Sequence, residues 1–295
     1  MASLSVIIPT YHSGEKLQQT LSSLLTQIDL AHEIIVVVDG IDIPEDVTVI
    51  KKFNSPKLRS YVQENAGRAG ARNKGAELST GDLLLFLDAD MIAGPDLLRS
   101  HLNFHSAQEN SVLLGRTLRD EKNAVTSFDN YLLKVEEQWM EGIPEKYEVT
   151  KKNFAFSAAN MSIRRTTFMT AGQFDPSLSD SEDLELGVRL YEMKIPIQHD
   201  RTVQASHNDH PTLEAFIKRL HQYRIAKEKL IAQRPHLAAY MENEPTQHSS
   251  GLKKILLQFG NFLFGSLAIR NGAAFRALPE STQHFIFKMV IAARY

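Results

Sequence analysis

The chain has 295 residues, a formal net charge of −2 and no cysteine. The near-neutral balance argues against a nucleic-acid-binding protein, and the missing cysteines exclude disulfides, zinc–cysteine sites and thiol nucleophiles. With 43% hydrophobic and 23% charged residues, the composition is that of a globular protein.

The first residues lead directly into an apolar stretch, without the basic segment that precedes the apolar core of a secretory leader. No apolar run approaches the roughly 18 residues that a membrane-spanning helix needs. From these two features we expect a cytoplasmic protein.

Strand and helix patterns alternate over the first hundred residues. Apolar runs rich in β-branched residues or leucine predict buried strands at residues 4–8, 33–38, 58–62 and 83–87. Helical spacing of apolar residues predicts helices at 15–26 and 69–78. Because apolar strands separated by helices form parallel sheets covered on both faces, we predict an α/β fold with a mostly parallel sheet.

Beyond residue 115 the pattern is less regular. It predicts helices at 125–140, 180–193 and 211–233 and a strand at 154–163. From residue 250 onward, six Lys or Arg residues accompany a single Glu. Five apolar residues share one helical face there: Leu252, Ile255, Leu256, Phe259 and Leu263. Such a basic amphipathic segment either packs on protein, including a second copy in a homo-oligomer, or contacts an anionic membrane surface peripherally; both interpretations stay open.

Polar residues follow three of the predicted strands at their carboxyl ends, where open α/β sheets bind ligands. Pro9, Thr10 and Tyr11 follow the first strand, Asp39 follows the second, and residues 88–90 follow the fourth. A tyrosine can stack on a base, and a carboxylate can accept hydrogen bonds from ring N–H groups. The sequence therefore predicts a nucleotide-binding crevice at this edge of the sheet.

Residues 88–90 read Asp-Ala-Asp, so two carboxylates, Asp88 and Asp90, flank Ala89. Oxygen ligands of this kind suit Mg²⁺ or Mn²⁺ that is held partly by protein and partly by substrate phosphates. A solvated turn is the alternative, since Asp is common at strand ends. Together with the other polar strand ends, the pattern favours a metal site.

A glycine-rich stretch at 65–75 carries Arg68, Arg72 and Lys74 but no acidic residue. Guanidinium groups bind phosphates through paired hydrogen bonds, and a helix beginning here adds its positive end. The stretch is neither a P-loop nor a dinucleotide-binding fingerprint, because the glycine and lysine spacing differs. It predicts a phosphate contact, with an exposed basic helix as the alternative.

Acidic residues and histidines add two further candidates. Acidic side chains near residue 182 either cap a helix or include a general base, Asp183, that takes a proton from an acceptor hydroxyl. His207 and His210 are either surface residues or include a metal ligand.

In this order and spacing, the motifs resemble family 2 glycosyltransferases with the GT-A fold. The matching segments, within about residues 3–225, are 6–11, 33–40, 65–75, 80–90, 160–165, 182–189 and His207. The resemblance implies a GT-A domain at 1–225 with a Rossmann-like sheet flanked by helices. It further implies a nucleotide-binding half at about 1–115, an acceptor-binding half at about 116–225 and a helical extension at 226–295.

The resemblance also implies an activity. One sugar would pass from a nucleoside-diphosphate sugar, with a UDP-sugar favoured, to a hydroxyl of a saccharide, lipid-linked or small-molecule acceptor, with inversion. Mn²⁺ or Mg²⁺ would assist, and the product would belong to polysaccharide, glycolipid or glycoconjugate biosynthesis. The basic C-terminal segment favours a lipid-linked or membrane-proximal acceptor, for which the cytoplasmic protein would lie peripherally at the inner face of the membrane.

The roles of individual residues are likewise implied by the resemblance. Asp183 would be the catalytic base, Glu182 and Asn160 would contact the acceptor, and Asp90 and His207 would bind the metal. The implied donor contacts are Pro9, Thr10, Tyr11, Asp39, Arg68, Arg72, Asn73, Asp88, Ala89 and Asp90.

Two positions depart from the family pattern, since His12 replaces a frequent Asn and Val38 replaces the first of two aspartates. The Q-x-x-R-W block of processive polymerases does not occur, which favours a single transfer. Two other functions fit the sequence less well. A sugar-1-phosphate nucleotidyltransferase needs a Gly- and Arg-rich loop after the first strand, which residues 9–12 do not provide. A non-catalytic nucleotide-sugar-binding scaffold would not need Asp183 or the Asp88–Asp90 pair.

Overall fold

The structure is a computed structural model that describes residues 2–241, 264–265, 268–270 and 272–295. The described residues divide into two compact units. One lies within 1–118, 144–208 and 230–243, and the other lies within 119–143, 209–229 and 244–295. The apolar face predicted for Leu252, Ile255, Leu256, Phe259 and Leu263 lies outside the described residues.

A sheet of nine strands forms the centre of the described part of the first unit. Its strands are β1 Leu4–Thr10, β2 Glu33–Asp39, β3 Leu58–Gln63, β4 Leu83–Leu87, β5 Met91–Ala93, β6 Val112–Arg116, β7 Lys146–Glu148, β8 Asn160–Arg164 and β9 Ile197–His207. Their order is β3-β2-β1-β4-β8-β6-β9-β5, and β7 pairs with β9.

The sheet is parallel in its first half and mixed in its second. β3, β2, β1 and β4 pair in parallel, whereas β8 runs antiparallel to both β4 and β6. β6 is parallel to β9, and β5 and β7 are antiparallel to β9. The predicted α/β class is confirmed, but the parallel arrangement holds mainly for the four strands joined by helical crossovers.

The helices flank the sheet or form the second unit. They are α1 Glu15–Leu25, α2 Pro44–Ile50, α3 Gly67–Leu78, α4 Leu97–Ala107, α5 Ser127–Met140, α6 Arg165–Thr170, α7 Glu182–Glu192, α8 Leu213–Gln233, α9 Ala273–Arg276 and α10 Glu280–Arg294. The helices predicted at 15–26, 69–78, 125–140, 180–193 and 211–233 are confirmed to within a few residues at each end.

The strand predicted at 154–163 is wrong in its first half. Pairing with β4 places Asn160 opposite Leu87, the last residue of β4, so residues before Asn160 have no strand partner there. Residues 154–159 are irregular instead. A strand needs a partner as well as a suitable pattern, and the pattern alone does not show where the partner ends.

Close packing of α3 on β1 positions the candidate site. Gly75 lies so near Ile7 that an added Cβ would stand 2.3 Å from Ile7 Cγ2. Ile7 belongs to a core that covers one face of the sheet with Phe86, Phe168 and other buried apolar side chains. This contact fixes α3, and with it Arg68 and Arg72, against the sheet.

The second unit is helical. Its core contains Phe128 of α5 and Phe287 of α10, whose ring centroids lie 4.9 Å apart. α10 also buries Ile286 and Val290, so this part of the basic segment packs against protein. Among the described helices, none has the length and apolarity needed to cross a bilayer. The compact units reflect packing, so the functional division at residues 1–225 and 226–295 stays a prediction.

Candidate functional site

The carboxyl ends of β1, β2 and β4 are adjacent, because β1 pairs with both other strands. Tyr11 follows β1 and is 56% exposed, while Pro9 is buried within that strand. Asp39 ends β2, and its Oδ1 accepts hydrogen bonds from Gln63 Nε2 at 2.7 Å and from the Ala66 N–H at 2.9 Å. The strand ends therefore meet as the sequence predicts.

A buried carboxylate holds the loop after β1. Asp46, in the first turn of α2, accepts hydrogen bonds from Thr10 Oγ1 at 2.7 Å, from the Ser13 N–H at 3.3 Å and from the Gly14 N–H at 2.7 Å. Asp46 is not among the site residues predicted from the sequence. Its only signal is an acidic residue two positions after Pro44, which is ordinary at a helix start.

His12, which replaces the frequent Asn of the family, lies in the same loop. Its φ is 52°, a left-handed conformation in which Asn is more common than most residues. His12 Nδ1 lies 2.6 Å from Glu45 Oε1, and its ring packs edge-on against Tyr11 with centroids 4.5 Å apart. These contacts hold His12 in that conformation beside the exposed tyrosine.

Arg72 of α3 lies between two carboxylates from different elements. Its Nη2 donates to Asp88 Oδ1 at 2.7 Å, and its Nη1 donates to Glu182 Oε1 at 2.6 Å. The side chain is almost fully buried, and neither Arg72 Nε nor Glu182 Oε2 has a hydrogen-bond partner. Arg72 therefore connects the loop after β4 with the start of α7.

The two other candidate donor contacts on α3, Arg68 and Asn73, have different surroundings. Arg68 is 41% exposed, with Nη1 3.4 Å from Asp180 Oδ1 and Nε 3.9 Å from Glu182 Oε1. Asn73 exchanges two hydrogen bonds with the Phe174 backbone, at 2.8 and 3.1 Å. The donor-binding roles assigned to these residues stay predictions.

Burial and neighbouring charges set the ionisation of the acidic residues here. Burial acts to raise the pKa of Asp88, but the charge and hydrogen bond of Arg72 outweigh it and lower that pKa below its ordinary value. Burial raises the pKa of Asp183 although Arg72 opposes the shift. The pKa of Glu182 is raised by burial and by the Asp183 charge. A raised pKa makes a carboxylate a better proton acceptor.

The pairing of β5 with β9 brings Asp90 close to His207. His207 Nδ1 lies 3.8 Å from Asp90 Oδ1, and this nitrogen is buried without a hydrogen-bond partner. A carboxylate oxygen and an unpartnered imidazole nitrogen fit a divalent cation such as Mn²⁺. Among the described residues there is no group of three or more His, Asp or Glu side chains placed to hold a metal.

Two further candidate residues, Ala89 and His210, make polar contacts within the chain. Ala89 is buried, and its carbonyl accepts a hydrogen bond from Thr20 Oγ1 at 2.8 Å. His210 belongs to the second unit, where its Nδ1 lies 3.1 Å from Asp129 Oδ2.

Asn160, predicted to contact the acceptor, is buried at the start of β8. Its Nδ2 donates to the carbonyls of Arg116 and Val203, each at 3.1 Å, and its Oδ1 accepts from His101 Nε2 at 2.9 Å. Both amide hydrogens are therefore used to join β8 to β6 and β9. The acceptor-binding role of Asn160 stays a prediction.

A chain of buried polar groups continues from Asn160 to α4. Because His101 Nε2 donates to Asn160, its Nδ1 accepts from Ser162 Oγ at 2.7 Å, and this oxygen accepts from His105 Nε2 at 2.8 Å. Burial lowers the pKa of His101 to about 4 and that of His105 to about 3. The signal in the sequence was two histidines four residues apart on one helical face.

The chain matches a known protein family and several of its members. The family model described as Glycosyl transferase family 2 matches residues 5–170. The uncharacterized glycosyltransferase YfnE of Bacillus subtilis (strain 168) is 27% identical over 258 residues, which is 70% of this chain and 65% of that protein. A validoxylamine A glucosyltransferase of Streptomyces hygroscopicus subsp. jinggangensis (strain 5008) is 30% identical over 226 residues, which is 67% of this chain and 53% of that protein.

A solved structure supports the fold. The structure of S. aureus TarS 1-349 in complex with UDP covers 99% of this chain and 89% of its own, with a TM-score of 0.55 and 17% identity. This likeness confirms the GT-A-like α/β fold. The chain spans less than two thirds of the length of the two curated relatives. Because the family model matches more than half of the residues, the chain belongs to glycosyl transferase family 2.

Proposed function

We propose that the chain transfers one sugar from a nucleoside-diphosphate sugar to an acceptor hydroxyl, with inversion at the anomeric carbon. The observation that carries this proposal is the linkage of Asp88, at the strand end of the crevice, to the Glu182–Asp183 pair through Arg72. This linkage supports a base, Asp183, close to the crevice in which the donor would bind. The relation to a solved structure in complex with UDP and to a glucosyltransferase supports a UDP-sugar.

The nucleoside would bind over the ends of β1 and β2. The exposed ring of Tyr11 offers a stacking surface, and the carboxylate of Asp39 offers an acceptor for a ring N–H. Asp46 holds the connecting loop in place. The diphosphate would then lie towards Asp88, with the exposed Arg68 as a phosphate contact.

Asp90 and His207 would hold Mn²⁺ or Mg²⁺, since their facing oxygen and nitrogen atoms form a partial ligand set. Substrate oxygens would complete the coordination. When bound, the cation would neutralise charge on the departing diphosphate.

Asp183 would act as the base. Its carboxylate accepts the proton of the acceptor hydroxyl as the hydroxyl oxygen bonds to the anomeric carbon. The bond from that carbon to the diphosphate oxygen breaks in the same step, and its electron pair leaves with the diphosphate. One displacement of this kind inverts the anomeric carbon, and Glu182 would orient the acceptor beside Asp183. The burial that raises the pKa of Asp183 suits it to this role.

For the acceptor, we propose a hydroxyl of a saccharide, lipid-linked or small-molecule substrate in polysaccharide, glycolipid or glycoconjugate biosynthesis. Peripheral membrane contact through the basic C-terminal segment stays a prediction. Sedimentation of the chain with anionic vesicles, compared with neutral vesicles, tests that contact.

Calorimetric titration with UDP, GDP and dTDP, each with and without Mn²⁺, tests the donor proposal. We expect UDP to bind most tightly and to bind more tightly with Mn²⁺. The variants Asp90→Asn and His207→Ala should remove the Mn²⁺-dependent gain while leaving the metal-free affinity unchanged. Absence of binding by all three nucleotides would contradict the proposal.

A further inference from the structure

We infer that Arg72 is a positioning residue that ties the start of α7 to the loop after β4 and keeps the base available as a carboxylate. Asp183 is the base only under the proposed function, on which this inference rests. The arginine-rich stretch predicts a phosphate contact from sequence, yet this guanidinium is almost fully buried between two protein carboxylates.

The geometry requires an arginine. Its planar guanidinium donates from two different nitrogens to Asp88 and to Glu182, at 2.7 and 2.6 Å. A lysine has one nitrogen and cannot reproduce this fork. The Gly75–Ile7 contact fixes α3 against β1, so the guanidinium of Arg72 extends from a rigidly held helix.

The start of α7 needs such an anchor. Ser181, the residue before α7, has a left-handed φ of 65°, and no side chain caps the helix there. Three acidic residues follow in the first turn, Glu182, Asp183 and Glu185. Glu185 pairs with Arg189 and Arg234, whereas the Asp183 charge opposes ionisation of Glu182 and the Arg72 charge favours it.

Arg72, Arg68 and Glu182 interact electrostatically with Asp183, and Asp180 and Asp88 are ion-pair partners of the two arginines. Arg68 and Arg72 come from α3, Glu182 is the neighbour of Asp183 on α7, Asp180 precedes that helix, and Asp88 lies beyond Arg72. Arg72 has the larger electrostatic effect on Asp183. Arg68 is 41% exposed, and its contacts with acidic side chains are 3.4 and 3.9 Å long. Burial raises the pKa of Asp183, and Arg72 is the foremost group that lowers it.

The two partners of the Arg72–Glu182 pair therefore act on Asp183 in opposite directions. Removing the cation leaves like charges unopposed and should raise the pKa of Asp183. Removing the Glu182 charge takes away a repelling neighbour and should lower it. A side chain that only stabilised the fold would not produce shifts of opposite sign.

Carbon-13 NMR titration of the side-chain carboxyls in the full chain measures these shifts without a substrate. Loss of a resonance in Asp183→Asn assigns the signal. We expect Arg72→Gln to raise the pKa of Asp183 by about one unit, Glu182→Gln to lower it by about half a unit, and Arg72→Lys to change it by less than about 0.3 units. The matched control Arg59→Gln, which removes an ion pair with Glu33, should leave it unchanged.

Kinetics test the positioning part. We expect Arg72→Lys to lower kcat by about tenfold with little change in donor KM, because the charge is kept and the fork is lost. The acidic limb of the kcat profile should move up for Arg72→Gln and down for Glu182→Gln. If Arg72→Gln does not fold, Arg72→Lys and Glu182→Gln still decide the matter.

Shifts of the same sign in Arg72→Gln and Glu182→Gln, or full kcat in Arg72→Lys, would overturn the inference. Without folded Arg72→Gln, the absence of a downward shift in Glu182→Gln would do so. If the wild-type chain bound no nucleotide and transferred no sugar, that result would contradict the proposed function and not the inference about Arg72. In that case the NMR shifts still report whether Arg72 controls the ionisation of Asp183.

Discussion

The loop after β1 and the start of α7 are both held by a buried side chain, but the chemistry differs. Asp46 holds the loop by accepting hydrogen bonds from one hydroxyl and two backbone N–H groups, which carry no charge. Arg72 holds the start of α7 by donating to the carboxylates of Glu182 and Asp88. Arg72 Nε and Glu182 Oε2 have no hydrogen-bond partner. The first arrangement satisfies one charge with neutral donors, whereas the second balances several charges.

The two arrangements should respond differently to mutation and to pH. The hydrogen bonds from neutral donors to Asp46 do not depend on the ionisation of a second charged group. A buried cation between carboxylates makes ionisation depend on each partner, because removing one leaves an unpaired charge. We therefore expect changes at the loop to alter nucleotide affinity, and changes near α7 to alter the rate and its pH dependence.

The largest expected effect separates the two regions directly. Asp183→Asn should lower sugar transfer by about 10³-fold, because an amide cannot accept the hydroxyl proton. Affinity for UDP, measured by calorimetry, should change by less than about threefold, since the loop after β1 is untouched. Transfer within tenfold of the wild type would remove Asp183 from the role of base.

The next effect concerns the neutral buried histidines, His101 and His105. Their pKa values in the folded chain are about 4 and about 3, below the ordinary value of 6.5, so the unfolded chain binds more protons between these limits. Stability is therefore full above pH 6.5 and falls as the pH drops. Each histidine should cost about 2 kcal/mol of unfolding free energy at pH 5.

Urea unfolding at pH 7 and pH 5 measures this loss. His105→Gln can still donate to Ser162, but it does not titrate, so part of the pH dependence should disappear. His236→Gln, at an exposed histidine, is the matched control and should retain the wild-type loss. An identical pH dependence in His105→Gln and wild type would show that His105 is not held neutral.

A smaller effect is expected at the loop after β1. Asp46→Asn should weaken UDP binding by about tenfold, because the amide presents N–H groups where the loop needs acceptors. Glu33→Gln is the control, since Glu33 is a buried carboxylate at the other end of β2 that also accepts hydrogen bonds from Ser5 and Thr80. Equal losses of UDP affinity in both variants would mean that general destabilisation, and not loop position, is responsible.

Much of the sheet could be predicted because its strands are locally distinctive. β1, β2 and β4 are apolar runs that are buried on both faces. Such runs can be recognised as strands from the local sequence, without knowledge of the strands they pair with. β5 and β7 have three residues each, and β9 is mostly polar along its length. These strands exist through pairing with one another and with β6, which no short window of sequence displays.

The candidate site divides in the same way. Tyr11, Asp39 and Asp88 follow apolar strands, so the parallel arrangement was enough to predict that they would be adjacent. The partners of Arg72 lie 16 and 110 residues away along the chain. Because an arginine binds a phosphate or a carboxylate with the same fork, residue type alone could not distinguish these partners.

By itself, the sequence determined the α/β class, the edge of the sheet at which polar residues gather, and the motifs that indicate family 2 glycosyltransferases. These follow from local patterns of apolar and polar residues. Only the tertiary structure decided that Asp46 holds the loop after β1, that His207 Nδ1 faces Asp90, and that Arg72 lies between Asp88 and Glu182. Those contacts join residues far apart in the chain, and burial determines which partner each charged group meets.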